Sequence, residues 1–190
     1  MKVTNTLKIT KLLAVLFIST LTFTACSEDH HDDDHDHGSE EELITTVNYT
    51  LTNGNDVVTL TFSDPDGEGG NDGTYSVSGN LSSNTIYTGV VELLNETESP
   101  AEDITEEVKA EADEHEFFYS SNVSGLEISK TDNDANNNPI GITTSLVTND
   151  AGSGTITIIL KHEPTKPNNG SSADAGGSTD VEVTFNVTVQ

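Results

Sequence analysis

Four of the six histidines fall within one short run, Ser27-Glu28-Asp29-His30-His31-Asp32-Asp33-Asp34-His35-Asp36-His37. His30, His31, His35 and His37 supply imidazoles, and Asp32, Asp33, Asp34 and Asp36 supply carboxylates between them. Imidazole suits zinc, copper and nickel, and carboxylate oxygens complete such coordination shells. The run therefore predicts a site for a first-row divalent ion, zinc or copper before nickel. In an extended chain His35 and His37 point the same way, and a fold back brings His30 or His31 to the same ion. The competing reading is compositional: a charged spacer or export tag whose histidines are incidental. Ordering a flexible run costs entropy, so its affinity is expected to be modest.

Two further stretches carry oxygen ligands. Asp64, Asp66, Glu68 and Asp72 alternate along the glycine-rich stretch Asp64–Gly73, a spacing that can converge on calcium. Asp132-Asn133-Asp134-Ala135-Asn136-Asn137-Asn138 is similar, but Asn137 stands where an EF-hand loop needs glycine and Thr143 where it needs glutamate. Asp, Asn and Gly are also the ordinary residues of β-turns, which is the alternative for both. Glu92 to Glu116 holds eleven acidic residues and His115. Glu111 and His115 are four apart and could share a helix face, although a solvated acidic face is the preferred reading of the run. His115 and His162 are the remaining histidines, and no nucleophile motif such as Gly-x-Ser-x-Gly accompanies them. No catalytic residue is assigned, and the chain is not read as an enzyme.

The elements that must present these residues begin with an export signal. Lys2, Lys8 and Lys11 form a positive start, and Leu12 to Phe23 an apolar stretch too short to span a membrane. Phe23-Thr24-Ala25-Cys26 resembles the bacterial lipobox, departing from it at Phe23, where leucine is usual. The resemblance implies that Cys26 carries acyl chains (palmitate among them) and becomes the mature N-terminus. Each buried methylene then contributes about 0.8 kcal/mol to membrane attachment. Ser27 is not the aspartate that retains lipoproteins at the inner membrane, and the acidic run resembles a surface-export tag. The expected place is the outer membrane, lipid-anchored, on the cell surface.

From Ser27 onward 164 residues remain, with all 33 acidic residues and four lysines, Lys109, Lys130, Lys161 and Lys166. There is no arginine, and the mature charge is −29. Nucleic acid is excluded as a partner by repulsion, whereas cations and basic surfaces are favoured. The chain divides into a signal peptide (1–25), a lipidated cysteine with an acidic His-rich tether (26–42), and one folded domain (43–190).

Within that domain the apolar period is two. Leu43, Val47, Tyr49 and Leu51 alternate with polar residues, Asn53-Gly54 signals a tight hairpin, and Val58, Leu60 and Phe62 return. Further strands are expected near Tyr75–Leu81, Ile86–Leu94, Phe117–Tyr119, Gly125–Thr131, Gly141–Thr148, Thr155–His162 and Asp180–Val189. Ile86–Leu94 is apolar on both faces, which places it centrally or beneath the helix. Ser99-Pro100-Ala101-Glu102 predicts the start of one amphipathic helix reaching Asp113, with Ser99 as its cap. Glu163 to Thr179 reads as a long polar loop, mobile or functional. The fold class is all-β: an antiparallel, immunoglobulin-like β-sandwich of eight or nine strands with one short helix.

With the lipobox, the His/Asp run, Asn95–Glu106, Lys161-His162-Glu163-Pro164 and the ending Thr179–Val189 in view, the chain resembles a family of small Gram-negative bacterial lipoproteins. Its members are often labelled "type 1 periplasmic binding fold superfamily protein", and that label implies a doubly wound α/β solute-binding fold. The resemblance brings no assigned catalytic residues. Two functions follow. In one, a surface lipoprotein binds or senses divalent metal through its His/Asp run, handing it to an outer-membrane transporter. In the other, the sandwich is a structural or interaction module that binds a protein or a glycan, and the run is only a spacer.

Overall fold

The computed structural model describes residues 42–67 and 70–190. Cys26, the run from His30 to His37, and Glu68 lie outside the described residues.

Strand formation follows the two-residue period. β1 (Thr46–Asn53) and β2 (Asp56–Ser63) pair antiparallel in a hairpin closed at Asn53 and Asp56, with Gly54 at φ 59°. Tyr49 and Leu51 on β1 and Val58 and Leu60 on β2 are buried, while alternate residues face outward. β3 (Thr74–Val77) adds to β2. β4 (Ile86–Asn95) pairs with β1 on one side and with β8 (Thr143–Val147) on the other, and β7 (Glu127–Lys130) closes that edge. The larger sheet thus runs β3-β2-β1-β4-β8-β7, with β5 (Glu102–Asp103) also attached to β4. The smaller sheet is β10-β9-β6, built from Ser178–Val189, Gly152–His162 and His115–Ser121.

Phe117, Ile156, Ile158, Leu160 and Phe185 of the smaller sheet join Tyr49, Tyr87, Leu93 and Leu146 of the larger in one core. Each such buried side chain contributes about 1.5–3 kcal/mol. At one margin Leu81 joins the sheets, donating its N–H to Thr188 O at 2.9 Å and accepting from Gln190 N at 2.9 Å. This is the all-β sandwich that the alternation predicts, and not the doubly wound fold implied by the family label. β4 is central as expected. Gly89 within it is required by close approach: a Cβ there would stand 2.3 Å from Thr144 Oγ1 and 2.6 Å from the Tyr49 hydroxyl.

Two expectations are corrected. The helix does not begin at Pro100. Glu102 and Asp103 instead hydrogen-bond along β4, and α1 runs over Ile104–Ala110 with Asp103 as its cap, its Oδ1 accepting from Thr105 N at 3.0 Å. An aspartate is as good a cap as a serine, and pairing with β4 holds the preceding residues extended. A second helical turn, α2 (Ser172–Ala175), lies in the stretch read as one long polar loop. That stretch is also pinned to the domain. Lys166 Nζ donates to Ala112 O at 2.6 Å and His115 O at 2.5 Å, and Asn168 Nδ2 donates to Glu116 Oε2 at 2.6 Å. On the outer face of β4, Ile86 and Val90 are exposed.

Candidate metal centre

His115 opens β6 and His162 closes β9, and the two are direct partners across the strand pair. On β9 the inward residues are Ile156, Ile158, Leu160 and then His162, so strand alternation carries the imidazole onto the apolar face. The same holds on β6, where His115 lies two residues before Phe117. The rings stack with centroids 4.7 Å apart and planes 16° from parallel.

Carboxylates close on this pair from two other segments. Glu42 precedes β1, and its Oε1 stands 2.8 Å from His115 Nε2, with the side chain 7% exposed. Asp180 is the extra residue of a β-bulge, where the register shifts between Thr179 and Val181 opposite Lys161 and Leu160. The bulge turns its side chain inward, fully buried, and brings Oδ2 to 4.0 Å from His115 Nε2. Glu114 approaches His162 from the rim, with Oε2 3.7 Å from Nε2.

One hydrogen bond fixes a proton on His115. Its Nδ1 is 3.2 Å from Glu111 O, and a carbonyl can only accept, so Nδ1 carries the proton. Nε2 faces the Glu42 carboxylate, carries a proton in the charged ring, and offers a lone pair only once that proton has left. The Glu42 oxygen is near Nε2 but off the line of a ring N–H, since Nε2 has no aligned hydrogen-bond partner. Glu42 Oε2 and His162 Nδ1 are likewise buried without hydrogen-bond partners. Such groups cost about 1–3 kcal/mol each, so a cluster of them calls for a reason.

Electrostatically, Glu42 and His115 support each other's charged forms. Burial alone would push the His115 pKa down, but contact with the Glu42 carboxylate outweighs it and holds the ring above its ordinary value. Burial would raise the Glu42 carboxyl, but His115 outweighs it and holds it below its ordinary value.

Glu42, His115 and His162 each bring one ligand atom within 4.8 Å of the others, and so do Glu114, His162 and Glu163. Two histidines and a carboxylate form a donor set suited to zinc. The His115 Nδ1–H bond to a backbone carbonyl is the outer contact that orients a metal-binding imidazole.

The residues predicted from sequence fare differently. His30, His31, His35, His37 and the aspartates between them lie outside the described residues, as does Glu68 of the calcium candidate. Asp64, Asp66 and Asp72 do not bring three ligand atoms within 4.8 Å of one another. Asp66 accepts from Asn71 N at 3.0 Å and Asn71 Nδ2 at 2.9 Å. In the 132–138 loop, Asp132 accepts from Gly141 N at 2.7 Å and Thr143 N at 3.1 Å. Asp134 accepts from Asn136 N and Asn138 N, both at 2.8 Å, so its carboxylate fastens the turn.

Glu42 was missed because it sits at the end of the acidic tether, where nothing local distinguishes it from Glu40 and Glu41. Asp180 was missed because a bulge is invisible to the alternation rule. His162 was legible: it continues the inward register of Ile156, Ile158 and Leu160.

Comparison with known proteins adds no relatives: no family model matches the sequence, no curated protein matches it, and no solved structure matches the fold. The class defined by the fold is a two-sheet antiparallel β-sandwich.

Proposed function

We propose that this is a lipid-anchored envelope protein whose sandwich binds a divalent transition ion, zinc before copper, through Glu42, His115 and His162. The observation that carries this is the set of buried ligand atoms without hydrogen-bond partners, Glu42 Oε2, His115 Nε2 and His162 Nδ1, with Nε2 giving up its proton when the ion binds. With the planes 16° from parallel, both imidazoles cannot point at one ion. Binding therefore turns the His162 ring, while the Glu111 carbonyl fixes His115. Asp180 lies close enough to balance the ion's charge. The run His30–His37, only a few residues before Glu42 in the chain, collects cations from solution and raises their local concentration. Acylated Cys26 would hold the protein at the outer membrane facing outward, and a transporter there is the partner to which such an ion would pass.

Zinc titration by calorimetry tests the reading in the full-length protein, a variant with His30, His31, His35 and His37 changed to alanine, and His115→Ala. The tight site is expected in the first two and lost in the third. Glu42→Gln, nearly isosteric, repeats the test should His115→Ala disturb folding. Equal tight binding by wild type and Glu42→Gln would defeat the proposal. Cys26→Ser should release the protein from membranes or leave it unprocessed, and membrane retention at wild-type levels would remove the anchor.

A second reading has its own observation. Val57, Ile86 and Val90 are exposed on the larger sheet, where Val57 lies across from Thr52 and Thr52 from Thr88. This face of β-branched residues suits a protein or glycan partner, as in a simple interaction module. Ile86→Lys with Val90→Lys would abolish that binding and leave zinc affinity intact.

A further inference from the structure

Beside the buried group lies a second arrangement that shares one member with it. Glu114, His162 and Glu163 bring ligand atoms within 4.8 Å of one another, and both carboxylates are exposed, whereas His162 is buried. Glu163 is held there by its backbone. It adopts φ 51°, a left-handed conformation uncommon for a non-glycine residue, and its N–H donates to Glu114 O at 2.6 Å. Opposite, Gly177 (φ 68°) packs so tightly that a Cβ would stand 2.1 Å from His162 O and 2.9 Å from Glu163 O. Backbone strain at Glu163 and a forced glycine at 177 thus fix the segment around His162.

The His162 ring faces both ways. Its Nε2 lies toward Glu114 at the rim, and its Nδ1 is buried without a partner. Resting on the metal reading above, we infer that Glu114, His162 and Glu163 form an entry position for the divalent ion, from which His162 passes it to Glu42 and His115. The ion first exchanges water for the two rim carboxylates and Nε2. Turning the ring then presents the imidazole to the interior, where Glu42 and His115 complete the shell. Because both positions use His162, they exclude each other, and the sandwich holds one ion.

Stopped-flow zinc binding, followed with a competing chromophoric chelator, tests this in the full-length chain carrying alanine at His30, His31, His35 and His37. Glu114→Gln with Glu163→Gln should slow association by about tenfold, the loss expected when two steering charges leave a site mouth. Equilibrium affinity should drop less than the rate, because dissociation slows as well. A control pair at exposed positions toward the ends of β6 and β9 away from the histidines, Glu127→Gln with Asp150→Asn, should keep the rate within about twofold, because screened charges act weakly. Glu42→Gln should weaken affinity by about tenfold or more while association at the rim persists. An unchanged association rate in the rim variant, or a slowing no greater than in the control pair, would overturn the entry position while leaving the interior site standing. A rim variant that loses as much affinity as Glu42→Gln, with no change in rate, would mean one shared shell and overturn the two-position scheme. Two zinc ions bound per sandwich would overturn the sharing of His162. Affinity unchanged in Glu42→Gln would instead defeat the interior reading on which the inference rests.

Discussion

Asp134 and Glu42 are both carboxylates held away from solvent, and they are partnered in opposite ways. Asp134 is fully buried and accepts from Asn136 N, Asn138 N and Asn138 Nδ2, with Lys166 Nζ 3.5 Å away. Burial would raise its carboxyl, but these bonds outweigh it and hold it below the ordinary value. Glu42 stands against His115 with one oxygen unbonded. The first is a closed arrangement, its acceptor capacity spent on shaping the loop that Lys166 grips. The second is open, with capacity left over and two imidazoles beside it. Buried polar groups are normally satisfied, so the difference separates a carboxylate that builds the fold from one available to a ligand.

The comparison is tested most sharply by substitution on each side. His115→Ala should weaken zinc binding by more than about 100-fold, beyond the usual effect of outer contacts, and calorimetry reads it directly. Asp134→Ala should leave zinc affinity unchanged and instead destabilise the domain by about 2–3 kcal/mol, because several donors lose their acceptor. A fall in Tm of roughly 5–10 °C would report this. Should Asp134→Ala abolish zinc binding without lowering Tm, the division between building and binding carboxylates would collapse.

Zinc itself supplies the next test. At 100 times its Kd, a ligand of the folded state alone stabilises by about 2.7 kcal/mol, so Tm should rise with zinc in wild type and not in His115→Ala.

The pH dependence should then run in opposite directions with and without zinc. His115 has a raised pKa, so its contribution is complete below its ordinary value of 6.5 and is lost as pH rises through the folded value. Glu42 has a lowered pKa, so its contribution is present above its ordinary 4.5 and is lost as pH falls through the folded value. Asp180 also faces the His115 ring and favours its charged form. Without zinc the pair therefore stabilises most between 4.5 and 6.5, and denaturant midpoints should decline above that window. Zinc needs the neutral imidazole, so its stabilisation should grow over the same rise in pH. The smallest effect belongs to the tract: alanine at His30, His31, His35 and His37 should move the Tm of the domain by no more than about 1 °C while removing the weaker zinc sites.

Much of this molecule was determined by the sequence alone. The two-residue alternation from Val47 to Leu51 and from Val181 to Val189 specifies half-buried strands, because successive side chains of a strand face opposite ways. Asn53-Gly54 specifies the hairpin because glycine takes positive φ without steric cost. Even the inward aim of His162 follows from its register with Leu160. Tertiary structure decided the rest. Asp103 displaced Ser99 as the helix cap because β4 offered Glu102 and Asp103 strand partners nearby. Asp180 turns inward through a bulge, whose extra residue breaks the alternation that any local pattern must assume. Glu42 meets His115 although 73 positions separate them in the chain. A local pattern carries the face of a strand; which distant carboxylate will lean on which imidazole depends on how β6, β9 and β10 pair and on where the chain enters β1.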